Sequence, residues 1–226
     1  MLIALGTFSC GQQKQQTPES PVITSQRDSV LADAQKKREA WTQTLKDMTV
    51  TQLAAQLEKE SVDGLEPFNS MAYKEILSRG EKAADSLQKL ITKSDRSSLL
   101  SLLALRRIDL AKYRVIPDVM KGAILEDALK NARRFNTFGL PHVKWEEAGA
   151  AIAESGDTVK RALYPLLDDK RPAPMWGSED YAEYKAYQYR VCDYAYAFLR
   201  AGGKEQAPPI PKDPAERDKL IQSLKR

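Results

Sequence analysis

From residue 28 onward the apolar positions of the chain recur at the steps of a helix. In "DSVLADAQKKREAWTQTLKDM", Leu31, Ala34, Trp41, Leu45 and Met48 fall on one face at steps of three, four and seven. No comparable stretch alternates polar and apolar residues over five or more positions between turn signals, so strands find little support. The pattern predicts an all-α fold. Gly80 and Gly156 suit helix C-terminal positions that need a positive φ, and Glu81 or Asp157 just beyond suits the start of the next helix. The aromatic run "YAEYKAYQYRVCDYAYAFL" (181–199) predicts one helix from Ser178 to the Gly202-Gly203 stop. One stripe holds Tyr181, Tyr184, Tyr187, Val191, Tyr194 and Phe198, and a second holds Tyr189, Cys192 and Tyr196. A helix with two apolar stripes is sandwiched between neighbours, and its tyrosines belong to the core more than to a ligand surface.

The helices come in a pattern that is written twice. "GLEPFNSMAYKEILSRGEKAADSLQKLITKSDR" from Gly64 lies beside "GLPHVKWEEAGAAIAESGDTVKRALYPLLDDKR" from Gly139, an offset of 75 and then 76. Ala72 meets Ala148, Ile76 meets Ile152, Leu87 meets Leu163 and Leu90 meets Leu166. Farther on the offset is 91, pairing Leu100 with Val191, Leu103 with Tyr194, Ala104 with Ala195 and Ile108 with Leu199, and Ile116-Pro117 has its counterpart in Ile210-Pro211. The copies are expected over about 64–135 and 139–226. One such unit cannot bury both of its apolar faces alone, so stacking on a neighbour supplies the rest of a core.

The second copy, "TVKRALYPLLDDKRP" followed by "YRVCDYAYAFLRAGG", resembles a HEAT-like repeat: a helix with a late Pro165, an "LLDD" turn, and a helix opening on Val191. The first copy departs from that pattern with Lys89 and Thr92. The resemblance implies stacked helical hairpins, an α-solenoid, which binds partners on a concave surface. The jump in offset leaves about fifteen extra residues in the second copy, centred on "RPAPMWGSEDYAEYK" (171–185). Pro172 and Pro174 exclude helix there, Gly177 and Ser178 offer a turn and an N-cap, and Glu179 and Asp180 favour a helix start. Nothing in the helical period requires Met175 or Trp176. Either this loop is a contact, or Trp176 plugs the core as a lid. Arg171, Met175, Trp176, Tyr189 and Tyr196 are the candidate interaction residues.

The start, "MLIALGTFSCGQQKQQTPES", resembles a bacterial lipoprotein signal: a largely apolar segment over residues 2–8, the small Ser9, then Cys10 and an abruptly polar continuation. It departs from the family pattern in having no Lys or Arg before the apolar run and in Thr7. The resemblance implies cleavage before Cys10, lipid on that cysteine, and a protein anchored at a membrane surface of the bacterial cell envelope. Residues 1–9 are then the signal, 10–27 a flexible tether rich in Gln, Ser, Thr and Pro, and 28–226 the helical repeat domain. The apolar segment is too short to span a bilayer as a helix.

Charge and chemistry narrow the reading. Lys plus Arg exceed Asp plus Glu by 35 to 31, and this small, scattered +4 argues against a nucleic-acid partner. A local basic excess from Arg106 to Arg134 is either a surface for an acidic partner or anionic headgroups, or an ordinary solvated helix face. With Cys10 lipidated, only Cys192 remains; no internal disulfide can form, and a thiol between aromatics is inert. The single histidine, His142, can share a helix face with Glu146, yet a zinc site normally needs at least three protein ligands. No cofactor and no metal are expected. Asp168 and Asp169 fit a turn and cap, and no phosphate-binding glycine loop or nucleophile elbow occurs. The sequence reads first as a membrane-tethered protein-binding or scaffolding module with an unknown protein partner. Its alternatives are an immunity or inhibitor protein against an envelope-acting toxin, and a hydrolase using gathered carboxylates with His142.

Overall fold

The structure, a computed structural model, describes residues 21–60, 70–202 and 209–225. It is all-α: among the described residues there are helices and no strands, only two isolated bridges, Leu140 with Lys144 and Pro172 with Arg190. The expected signal segment and Cys10 lie outside the described residues. The chain divides into two units, 1–44 and 45–226.

Within the first unit the chain is helical from Pro21, in α1 (Pro21–Asp47), so the tether expected over 10–27 ends sooner than its composition implied. The helix is polar nearly all round, with Leu31 and Val30 exposed. Its side chains bond along its own length, as Gln35 Nε2 does to Glu39 Oε1 at 2.7 Å. The periodic stripe of Leu31 and Ala34 is therefore not a buried face; of the five stripe residues only Leu45 is buried.

The second unit carries the core. Helix α2 (Val50–Glu60) opens with a reciprocal cap in which Gln52 N–H donates to Thr49 Oγ1 (3.2 Å) and Thr49 N–H to Gln52 Oε1 (2.8 Å). Ser70 caps α3 (Met71–Ser78) by accepting from the Tyr73 N–H, and Asp95 caps α5 (Arg96–Ile108) by accepting from the Ser98 N–H. Between them lie a 3₁₀ turn, Gly80–Ala83, and α4 (Ala84–Leu90). Helix α5 is central, packing on α2, α3, α4, α6 (Leu110–Val115), α7 (Asp118–Asn131) and α8 (Glu147–Ala153). Its Leu100, Leu102, Leu103 and Leu105 are buried, each leucine contributing about 1.5–3 kcal/mol.

Helix α11 (Val191–Arg200) has the same central place farther along. It packs on α8, α9 (Asp157–Arg161), the 3₁₀ turn Tyr164–Asp168 and α12 (Pro214–Leu224), and every residue from Val191 to Phe198 is buried. Buried Lys160 ends it by donating from Nζ to the Ala201 carbonyl at 2.6 Å.

The single tyrosine helix predicted from Ser178 onward is two. Helix α10 (Ser178–Tyr187) ends at Gln188, which is left-handed at φ 51°, and α11 starts three residues later. Two contacts of Arg190 mark the break. Arg190 is drawn into an extended bridge with Pro172, and Asp193 restarts the helix by accepting from the Arg190 N–H at 2.9 Å. Only the second half of the run is core; Tyr181 is exposed and Tyr184 and Tyr187 are half-buried. The cap of α10 is Gly177 in place of the expected Ser178. Gly80 does take a positive φ, +54°, but Gly156 is extended at −74° and begins α9 instead of ending α8.

Gly149 is fixed by space. A Cβ on Gly149 would stand 2.1 Å from the Phe138 carbonyl oxygen, at the crossing where α8 enters the core. Gly149→Ala is expected to cost at least about 2 kcal/mol. Gly80→Ala, which meets nothing within 4 Å, carries only the left-handed penalty of about 1 kcal/mol. Urea unfolding of both variants tests the order; equal losses would remove the steric argument.

Candidate functional site

Residues 171–188, around the insertion expected from the sequence, form an arm with a fixed stem. On one side of the stem, Ala173 N–H donates to the Tyr189 carbonyl (2.8 Å) and Val191 N–H to the Arg171 carbonyl (3.0 Å). On the other, Phe135 N–H donates to the Pro174 carbonyl at 2.9 Å and Arg171 donates to the Lys130 carbonyl at 2.7 Å. Prolines at 172 and 174 remove two donors and narrow the backbone further. Residues 171–175 are thus held between two neighbouring segments.

Met175 and Trp176, adjacent in this extended stretch, point to opposite sides. Met175 enters the core, 1% exposed, and its sulfur accepts from the Tyr194 hydroxyl at 3.2 Å. Trp176 stands outside, 58% exposed. Asn136 grips its main chain at two points, Nδ2 donating to the Trp176 carbonyl (2.5 Å) and Oδ1 accepting from its N–H (3.0 Å). The Arg134 guanidinium lies 4.5 Å from the indole centroid, a cation–π contact. Trp176 is therefore no lid over the core. Of the five candidate interaction residues, Arg171 and Trp176 are on the surface. Met175, Tyr189 and Tyr196 are buried, because the first faces the Phe135–Tyr194 aromatic cluster, the second turns in behind the arm and the third lies on the enclosed helix α11.

His142 lies elsewhere than on a helix with Glu146. Residues 140–144 form a turn closed by the Leu140–Lys144 bridge, α8 begins only at Glu147, and Glu146 pairs with Lys144. His142 instead gathers residues far along the chain. Its Nδ1 is 2.8 Å from the Tyr189 hydroxyl and its Nε2 3.3 Å from Glu183 Oε1. Tyr187 covers the imidazole at 4.6 Å between centroids and stacks on Tyr189 at 5.1 Å and 16°, while Lys212 Nζ sits 5.4 Å from the Tyr187 ring. Burial holds the His142 pKa below its ordinary value, against the pull of Glu183, and burial pushes the Tyr189 hydroxyl up. With the tyrosine protonated and the imidazole neutral, Tyr189 donates to Nδ1 and Nε2–H donates to Glu183. Both ring nitrogens are engaged, which suits a clamp better than a poised general base.

The remaining titratable groups are committed in the same way. Asp193, 1% exposed, meets Arg190 at 2.9 Å and Arg217 at 3.1 Å. Burial, with Asp193 beside it, pushes the Cys192 thiol up to about 12, so it is an unreactive neutral thiol. Asp169 accepts from the Arg171 backbone and side chain, as a turn residue does, and Asp168 pairs with Lys225. The basic excess from Arg106 to Arg134 is largely drawn into ion pairs: Arg106 with Glu154, Arg107 with Glu147, Lys112 with Asp85 and Lys121 with Asp118. No group of three or more His, Cys, Asp or Glu able to hold a metal occurs among the described residues.

No family model, curated protein or solved structure matches the chain.

The His142 clamp makes a pH prediction. A folded pKa below the unfolded 6.5 means that its contribution is present above about 6.5 and lost as pH falls. The carboxylates of Asp85, Asp95, Asp169 and Asp218 are held below the ordinary carboxylate range and so act well outside that window. The melting temperature is expected to fall between pH 7.5 and 5.5, and to fall less in His142→Asn. Parallel profiles would show that the half-buried imidazole does not govern this window.

Proposed function

We propose that the chain is a lipid-tethered, HEAT-like helical repeat module of the bacterial cell envelope that binds a protein partner through the arm at 171–177. The observation that carries this reading is the pinned arm that turns Met175 inward and holds the Trp176 indole outward. Tryptophan and arginine are the side chains in which interface energy concentrates, and a loop already fixed loses little entropy on binding.

The duplication has support beyond the sequence. Most paired positions have matching burial: Ala72 and Ala148, Ile76 and Ile152, Leu87 and Leu163, Leu103 and Tyr194, Ala104 and Ala195, and Ile116 and Ile210 are buried in both members, while Leu90 is half-buried where Leu166 is buried. Neighbours correspond as well. Helix α5 packs on α3, α4 and α7, and α11 packs on α8, the turn Tyr164–Asp168 and α12. Two related units stacked in sequence are the simplest account, and the arm is what the second has and the first lacks.

The lipid anchor rests on the signal-like segment before Cys10. The gathering of His142, Glu183 and Tyr189 is what supports the alternative hydrolase reading, although engagement of both ring nitrogens favours a binder.

Crosslinking on native membranes with mass spectrometry tests the contact. One protein should be enriched with the natural chain and lost with Trp176→Ala while helicity and melting stay unchanged. Equal capture by both chains would remove Trp176 as the contact, and turnover abolished by His142→Ala would move the reading to the hydrolase. Cys10→Ser should release the protein from membranes; retention would remove the anchor.

A further inference from the structure

We propose that α10 is a hinged flap, latched shut by Glu183 and Tyr187 over His142 and Tyr189, which opens without unfolding the rest of the second unit. Several observations meet here. The flap begins and ends at positive φ, Gly177 at 105° and Gln188 at 51°, and the second is the one non-glycine residue in that region among the described residues. Both hinges lie just beyond the hydrogen-bonded stem, whose last ties are Trp176 to Asn136 on one side and Tyr189 to Ala173 on the other. Between the hinges, none of the described side chains from Asp180 to Tyr187 is buried, so no apolar face ties the helix down.

The contacts that do hold it are few and specific. Among the described residues they are Asp180 to Asn136 (3.2 Å), Glu183 to His142 (3.3 Å), the Tyr187 ring on His142 and Tyr189 with Lys212 Nζ 5.4 Å from that ring, and the Tyr187 carbonyl accepting from Arg217 (3.0 Å). The last sits at the hinge itself and fixes the pivot. Releasing Glu183 and the Tyr187 ring uncovers the imidazole and the Tyr189 ring, a paired polar and aromatic surface that is enclosed when the flap is down. None of these contacts is to a residue of α11, so opening of the flap leaves the packing of that helix in place.

Hydrogen exchange followed by mass spectrometry on the full chain tests this, at a fixed pH of 7.5. Amides of 179–187 are expected to exchange at least tenfold faster than those of α11. In Glu183→Gln they should exchange several-fold faster again, with α11 and the melting temperature unchanged. Trypsin should cleave after exposed Lys185 sooner in the variant, since cleavage of a helix needs it to open. If α10 exchanges only together with α11, or if Glu183→Gln accelerates both alike, the flap is part of the cooperative core and the proposal fails.

Discussion

One buried carboxylate, that of Asp193, orders the second half of the molecule. A charge removed from water is costly unless it is paired and hydrogen-bonded. Asp193 has the Arg190 N–H, the Arg190 guanidinium and the Arg217 guanidinium around it, and Arg190 is held well above its usual range by that bond. Each partner then brings a different segment. The Arg190 N–H fixes the first turn of α11. Arg217, on α12, also donates to the carbonyls of Pro211, Lys212 and Tyr187, joining the chain before α12 to the end of α10. Arg190 continues to Asp218, which takes Lys170. Two helices, one hinge and the stem of the arm meet around a single acid. Loss of one cation would leave the others to stabilise a charge that has no water, which makes this network stricter than any of the exposed ion pairs along α5 to α8.

Periodicity read the central helices well because their burial is local in origin. In α5 and α11 the apolar steps lie on residues that are in fact buried. The same logic failed at both ends of its range. In α1 the spacing was helical and the helix formed, but Leu31 and Val30 remain exposed, since a stripe states what could be buried and not whether a neighbour exists. In the tyrosine run the aromatic steps continue smoothly across Gln188, yet the chain breaks there. The competing forces come from Pro172, which pairs with Arg190, and from Arg217, which captures the Tyr187 carbonyl. Neither is visible within a helical window.

The candidate site was legible in part for the same reason. Trp176 stood out because no helical period required it, and it is the exposed one. Its neighbour Met175 was grouped with it, although adjacent residues of an extended segment face opposite ways, so one of the two had to turn inward. His142 was matched with Glu146 at a helical step, whereas a turn occupies 140–144 and its partners are 41 and 47 residues away. Asn136, in "RFNTFGL", carries no pattern at all; its role exists only once residue 176 is brought alongside.

The arm combines rigidity and freedom within a few residues, and Asn136 stands between them. It holds the Trp176 backbone with bonds of 2.5 and 3.0 Å and reaches Asp180 in α10 at 3.2 Å. Movement of the proposed flap would break only the last of these. Trp176 would keep its position while the surface beside it changed from a closed helix to an uncovered imidazole and tyrosine. A partner seated on Trp176 that also touched the uncovered pair would bind the open form more tightly, and by that difference alone would shift α10 toward opening. A partner confined to Trp176 and Arg134 would bind both forms equally and leave the flap as it was.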